Sequence, residues 1–302
     1  QNVVVLPGGG ARCRFGTQTT GISLPALATQ FQMFKWRTGI FDYLVILGNV
    51  SAAGIKVIKI DDGSQTGFPN PFSADDVEGR RVRGAQQQNE LILVAGSAIP
   101  FQFTSDPTTG AVTGVNYSFK NPPSYDFLNN YDTNTFTLSS VAVTAASVPD
   151  ASCPTLTVSG TPTFTFTSDF IGGYFEALGP STGVQIGRGK IVAFDSPTVV
   201  RVRISSEFGS AANVGTQCVI TESAYNATRG FPVAVGFYED RLLFAGGKGV
   251  PQSIFMSAIG DFRDFDPGQG LPSDSINYTI ASGQSDQIIN MTSARSLQVF
   301  TT

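Results

Sequence analysis

Asp261, Asp264 and Asp266 bracket two phenylalanines, Phe262 and Phe265. Carboxylates grouped in this way are the raw material of glycoside hydrolysis, which needs one acid and one base or nucleophile. Spacing along the chain, however, does not set the separation between carboxyl groups that this chemistry demands. Asp61-Asp62-Gly63 and Asp75-Asp76 are the other acidic pairs. Either suits weak cation binding at a surface loop, but no EF-hand spacing surrounds them, and Asp-Asp-Gly is first of all a hairpin-turn signal. The glycine run in Leu6-Pro7-Gly8-Gly9-Gly10-Ala11-Arg12 lacks the Lys-Ser/Thr and the following helix pattern of a phosphate-cradling loop, so it reads as a tight turn. Arg80-Arg81-Val82-Arg83 is the densest basic run, and Arg201 and Arg203 share one face of a strand. Neither cluster is interleaved with aromatic residues, so both read as solvated faces or subunit salt bridges rather than as a nucleic-acid site.

What is missing narrows the chemistry further. The chain has no histidine, which removes the commonest general base and the commonest metal ligand together. Ser-His-Asp, Cys-His and His-bound zinc chemistries are excluded within it. Cys13, Cys153 and Cys218 are odd in number and in no ligand spacing, so they read as reduced thiols; a Cys153–Cys218 bridge is compatible with the sequence but not required by it. Asn-x-Ser/Thr triplets such as Asn116-Tyr117-Ser118 and Asn226-Ala227-Thr228 are expected by chance in so polar a composition. No catalytic, cofactor-binding or metal-binding residue is assigned, and the chain reads as non-enzymatic. The net charge of -4 argues against tight nucleic-acid binding. It is compatible with a conduit, whose wall should not hold a polyanion.

The elements that would position these residues are strands. Gly, Phe and Pro are abundant and only 14% of residues are charged, well below the roughly 25% of an ordinary soluble domain. One pattern recurs: a polar turn leads into an apolar, Leu-containing strand. It reads Asp42-Tyr-Leu-Val-Ile-Leu-Gly48, then Asn89-Glu-Leu-Ile-Leu-Val-Ala-Gly96, then Asp240-Arg-Leu-Leu-Phe-Ala-Gly246, with a shorter copy at Arg295-Ser-Leu-Gln-Val-Phe300. Apolar runs of this length suit strands buried on both faces. The first two copies are about 47 residues apart and the last two about 55, the range of propeller blades, whereas the middle gap of about 151 implies an insertion. The first three copies are each followed by a second extended stretch, at 55–60, 100–104 and 252–256.

The expected fold is therefore all-β: a propeller-like frame of repeated β-hairpin blades carrying an inserted small β-barrel or sandwich. Residues 1–122 and 225–302 make the frame and 123–224 the insertion, with the small barrel at about 163–222. Thr163-Phe-Thr-Phe-Thr167 alternates with period two, and Lys190–Phe194 and Thr198–Ile204 should pair across Asp195–Pro197. Short helices are expected only at 80–88 and 281–291. No apolar run is long enough to span a membrane. Opening on Gln1 and closing at Thr302 inside an expected strand, the chain reads as a segment of a longer polypeptide.

A more specific signal begins at Thr228. Arg229-Gly-Phe-Pro232, Phe237-Tyr-Glu-Asp-Arg-Leu-Leu-Phe-Ala-Gly246, Pro251-Gln-Ser-Ile-Phe-Met-Ser257, Gly260-Asp-Phe262 and Thr279-Ile-Ala-Ser282 stand in order. This succession resembles the tail nozzle proteins (tail tubular protein B-like) of short-tailed bacteriophages. The amino end agrees, with Leu6-Pro-Gly-Gly-Gly10 and Phe15-Gly-Thr17 similar to the family's opening segment, though Phe15 stands where the family often has Pro. The resemblance covers most of 1–122 and 225–302 and extends more loosely to 163–204. It implies a structural protein of the virion tail, a homohexameric ring below the head–tail adaptor that also meets fibre, spike or needle proteins. Double-stranded DNA would pass through its lumen without sequence-specific binding. Asp61, Asp62, Asp75 and Asp76 are candidates for an acidic lumen wall that keeps DNA centred. The rival expectation is a receptor- or carbohydrate-binding β adhesin of a phage tail; a carboxylate glycosidase or a secreted propeller would be further alternatives.

Overall fold

A computed structural model describes residues 3–5, 11–13, 28–51, 54–127, 133–160, 164–179, 185–268, 270–280 and 286–302. The chain is nearly all β, built from several antiparallel sheets. The glycine run at 6–10 lies outside the described residues; the strands Val3–Val5 and Ala11–Cys13 on either side of it pair with each other.

Three four-stranded meanders form most of the frame. The first runs through Phe31–Arg37, Asp42–Gly48, Ile55–Lys59 and Gln65–Phe68. The second comprises Arg83–Gln87, Glu90–Val94, Phe101–Ser105 and Val112–Asn116. The third comprises Ala234–Tyr238, Arg241–Ala245, Ser253–Met256 and Ile276–Thr279. A hairpin, Ile288–Ser293 with Leu297–Thr301, follows. Every copy of the repeated sequence pattern occupies the second strand of its unit, and the extended stretch after each of the first three is the third strand.

These second strands are apolar throughout because both their faces are covered. Leu91 and Leu93 join Trp36, Tyr43, Val45 and Leu47 in a core between the first two meanders. Ile92 and Val94, pointing the other way, join Leu242, Phe244 and Phe255 in a core between the second and third. Leu243 and Ala245 then pack with Ile288 and Met291 of the hairpin. The units thus stack face to face in chain order, and their first strands lie side by side: Phe31–Arg37 touches Arg83–Gln87, which touches Ala234–Tyr238, which touches Ile288–Ser293.

The helix lies elsewhere than expected. Residues 83–87 form the first strand of the second meander, because pairing with Glu90–Val94 and an alternating burial pattern outweigh the helical leaning of the Gln run. Ile288–Ser293 is likewise a strand, while 281–285 lie outside the described residues. Among the described residues the one α-helix is Ala74–Glu78, started by a capping box between Ser73 and Asp76.

Between the second and third meanders sits a seven-stranded, nearly closed, barrel-like sheet. Its strands run from Asn134–Leu138 and Thr155–Gly160 to Cys218–Ile220, so two of them lie upstream of residue 163. Its two edge strands, Ala212–Val214 and Cys218–Ile220, are joined by the 3-10 turn Gly215–Gln217, which brings the edges together. The expected hairpin is present as Gln185–Ser196 with Val199–Ser206, turning at Pro197 and Thr198. Residues 164–167 make no strand, yet Phe164 and Phe166 are buried as their alternation implied. They fill the interior with Phe136, Phe170, Phe175 and Phe208. At Gly173 a Cβ would sit 2.0 Å from the Thr221 carbonyl oxygen, so only glycine allows the sheet to close there.

Candidate functional site

The aspartates that opened the sequence argument converge where the barrel meets the frame. Asp261, Asp264 and Asp266 lie on the connection between Ser253–Met256 and Ile276–Thr279, opposite the residues that leave the second meander. Lys120 Nζ donates to Asp261 and Asp264, each at 2.9 Å. Asn121 donates to Asp264 at 2.9 Å. From the barrel, Arg188 reaches Asp266 at 2.7 Å while its Nε donates to Glu176 at 2.7 Å. Cross-strand pairing of Glu176 with Arg188 and of Tyr174 with Lys190 puts these groups on one patch. The Arg188 guanidinium lies 3.8 Å over the Tyr174 ring. Lys190 completes the joint by donating to the Lys120 carbonyl at 3.0 Å and to Asn121 Oδ1 at 2.7 Å.

Electrostatics follow from these partners. Burial by itself would raise Asp266, but hydrogen bonds from Arg188 and from the Gly268 N–H hold its carboxyl below the usual range. Asp264 is likewise held low against burial, by Asn121 and Lys120. Lys120 is pushed up by its hydrogen bonds to Asp264 and Asp261, and Lys190 is pushed down by desolvation. Neither Asp264 nor Asp266 is raised as the general acid of a glycosidase is.

The other sequence candidates are scattered. Asp61 and Asp62 stand at the exposed turn between Ile55–Lys59 and Gln65–Phe68. Asp62 accepts from the Ser64 N–H and pairs with Lys59. Asp75 is exposed in the helix, but Asp76 is buried and accepts from the Ser73 N–H, the Ser73 hydroxyl and the Ser97 hydroxyl. Asp76 is therefore engaged within this chain. Arg201 pairs with Asp195, and Arg203 clasps Asp150 and the carbonyls of Ala145, Ala146 and Val148. Both arginines pin loops of their own barrel. Cys153 and Cys218 are free, buried thiols rather than a bridge, and burial pushes Cys218 up to about 12. Among the described residues no cluster of carboxylates or thiols could hold a metal ion, and no helix is long and apolar enough to cross a membrane.

Two features were not singled out from sequence. Arg241 is buried within the third meander, with Nη1 donating to the carbonyls of Ser257 and Asp274 and Nη2 to that of Pro272. Its signal was present in the Asp240-Arg-Leu-Leu-Phe-Ala-Gly246 repeat. The second is a cleft of about 1150 Å³ where the first strands of the second and third meanders and of the hairpin begin. Arg81, Arg83, Lys248, Asp76 and Asp286 line it, beside apolar Ala95, Val233 and Ile288. No protein-family model matches the chain, and no curated protein matches it.

Proposed function

We propose that this protein is a structural, non-enzymatic component of the tail nozzle of a short-tailed bacteriophage. It would assemble as a homohexameric ring between the head–tail adaptor and the fibre, spike or needle proteins, and DNA would leave the virion through that ring. The observation that carries the reading is the structural role of the nozzle-like sequence elements. Arg229-Gly-Phe-Pro232 forms the entry to the third meander, where the Phe231 N–H donates to the Gly96 carbonyl and the Gly96 N–H donates to the Pro232 carbonyl. Asp240 to Gly246 supplies the meander's buried second strand with its Arg241 clamp. Pro251 to Ser257 contains its third strand, and Gly260-Asp-Phe262 contributes to the barrel joint. The roles of these elements are those of a scaffold.

The architecture supports the same reading. Four-stranded meanders stacked face to face, with first strands adjacent, suit the propeller-like frame that the nozzle reading calls for. A sparsely charged surface suits extensive contact with other protein. Tested on virions of a phage carrying this sequence, gold-labelled antibody against the barrel should decorate the tail. Labelling confined to the head, or absent from intact and disrupted particles alike, would overturn the assignment.

A further inference from the structure

The large cleft has no part in that scaffold argument. We propose that it is an anion site that takes a phosphate group, either free or carried on a nucleic-acid backbone. Two elements bring three cations to it: the approach to the second meander brings Arg81 and Arg83, and the Gly246-Gly-Lys-Gly249 connection brings Lys248. Among the described residues, none of the three is in a salt bridge. This sets them apart from Arg37, Lys120, Arg188, Arg201, Arg203 and Arg229, each of which meets a carboxylate within this chain. Arg83 Nη1 is held by the carbonyls of Arg80 and Val82, which fixes the guanidinium at the wall, and its Nε is buried with no hydrogen-bond partner.

The acidic residues of the cleft do not neutralise this charge. Asp76 is already engaged by Ser73 and Ser97, which leaves Asp286 against three cations. Two guanidinium groups and an ammonium suit the several oxygens of a doubly charged tetrahedral anion better than a single carboxylate. Apolar Ala95, Val233 and Ile288 on the same walls lower the local dielectric and strengthen each contact.

The test is calorimetric titration of the purified protein with inorganic phosphate and, separately, with a short DNA duplex. Arg81 and Lys248 are exposed, so Arg81→Ala and Lys248→Ala should fold, which their melting temperatures would verify. Each should weaken phosphate binding about tenfold, whereas Lys248→Arg should retain it. Binding of free phosphate alone identifies a small-anion site. Duplex binding whose salt dependence falls in the Arg81→Ala/Lys248→Ala double variant identifies backbone phosphate as the source. Absence of binding by both probes, or binding that folded variants leave unchanged, would overturn the proposal. Neither result depends on whether the protein forms a ring.

Discussion

Arg241→Met is expected to destabilise the frame by about 3–5 kcal/mol, a large share of the roughly 5–15 kcal/mol that holds a typical domain folded. Arg241 is 5% exposed, and its guanidinium donates at 2.6 Å to the Ser257 carbonyl and at 2.5 Å to those of Asp274 and Pro272. Through these bonds the second strand of the third meander fastens both the end of the third strand and the long connection to the fourth. Methionine matches the stem in length but donates nothing, leaving three carbonyls without their partner, at about 1–3 kcal/mol for each that water cannot reach. Arg241→Lys should recover part of the loss, since an ammonium donates but lacks the planar fork. In urea unfolding the midpoint should fall with little change in slope. A loss under about 1 kcal/mol would show that the clamp is not a structural keystone.

Arg188→Met should release the barrel from the frame. Its side chain is 8% exposed and bridges Glu176 within the barrel to Asp266 on the frame. Removing it leaves two carboxylates facing one another without the cation, at a cost of about 2–4 kcal/mol, discounted for the partial exposure of both acids. The barrel keeps its own phenylalanine core, which shares no residue with the frame's three cores. It should therefore stay folded while the joint opens. Acid should act on the same joint. Asp264 and Asp266 have folded pKa values below their unfolded ones, so the stability they contribute is complete above the unfolded value of about 4. It is lost as pH falls from there through the folded values. Hydrogen exchange at 120–121 and 188–190 should rise in Arg188→Met at neutral pH, and in the unmodified protein only below about pH 4. Unchanged protection in both cases would mean that apolar contacts hold the barrel in place.

The frame was legible wherever burial on both faces leaves an unbroken apolar run. Tyr43 to Leu47, Leu91 to Val94 and Leu242 to Ala245 carry that mark, and each is a second strand. Arg83–Gln87 was misleading because Ala85 and the glutamines favour a helix locally, while the pairing that makes them a strand comes from Glu90–Val94 beyond the turn. The early barrel strands were hidden for a different reason. In Asn134–Leu138 only Phe136 and Leu138 are large and apolar, and Thr135 and Thr137 fill the alternate positions. The joint could not be read at all, because Lys120, Arg188 and Asp266 are far apart in sequence and meet only once both units have folded. The cleft shows the same limit: Arg81 and Arg83 stand out as a basic run, but Lys248 is a single charge among glycines, with no pattern to link it to them.

The proposed function stands or falls most directly on the symmetry of the assembled particle. Light scattering for mass and negative-stain imaging for shape, applied to the purified protein, should give a sixfold ring. Its central hole should be about 20 Å or wider, enough for a DNA duplex. A stable monomer that bound glycans would contradict the conduit and put the tail adhesin in its place.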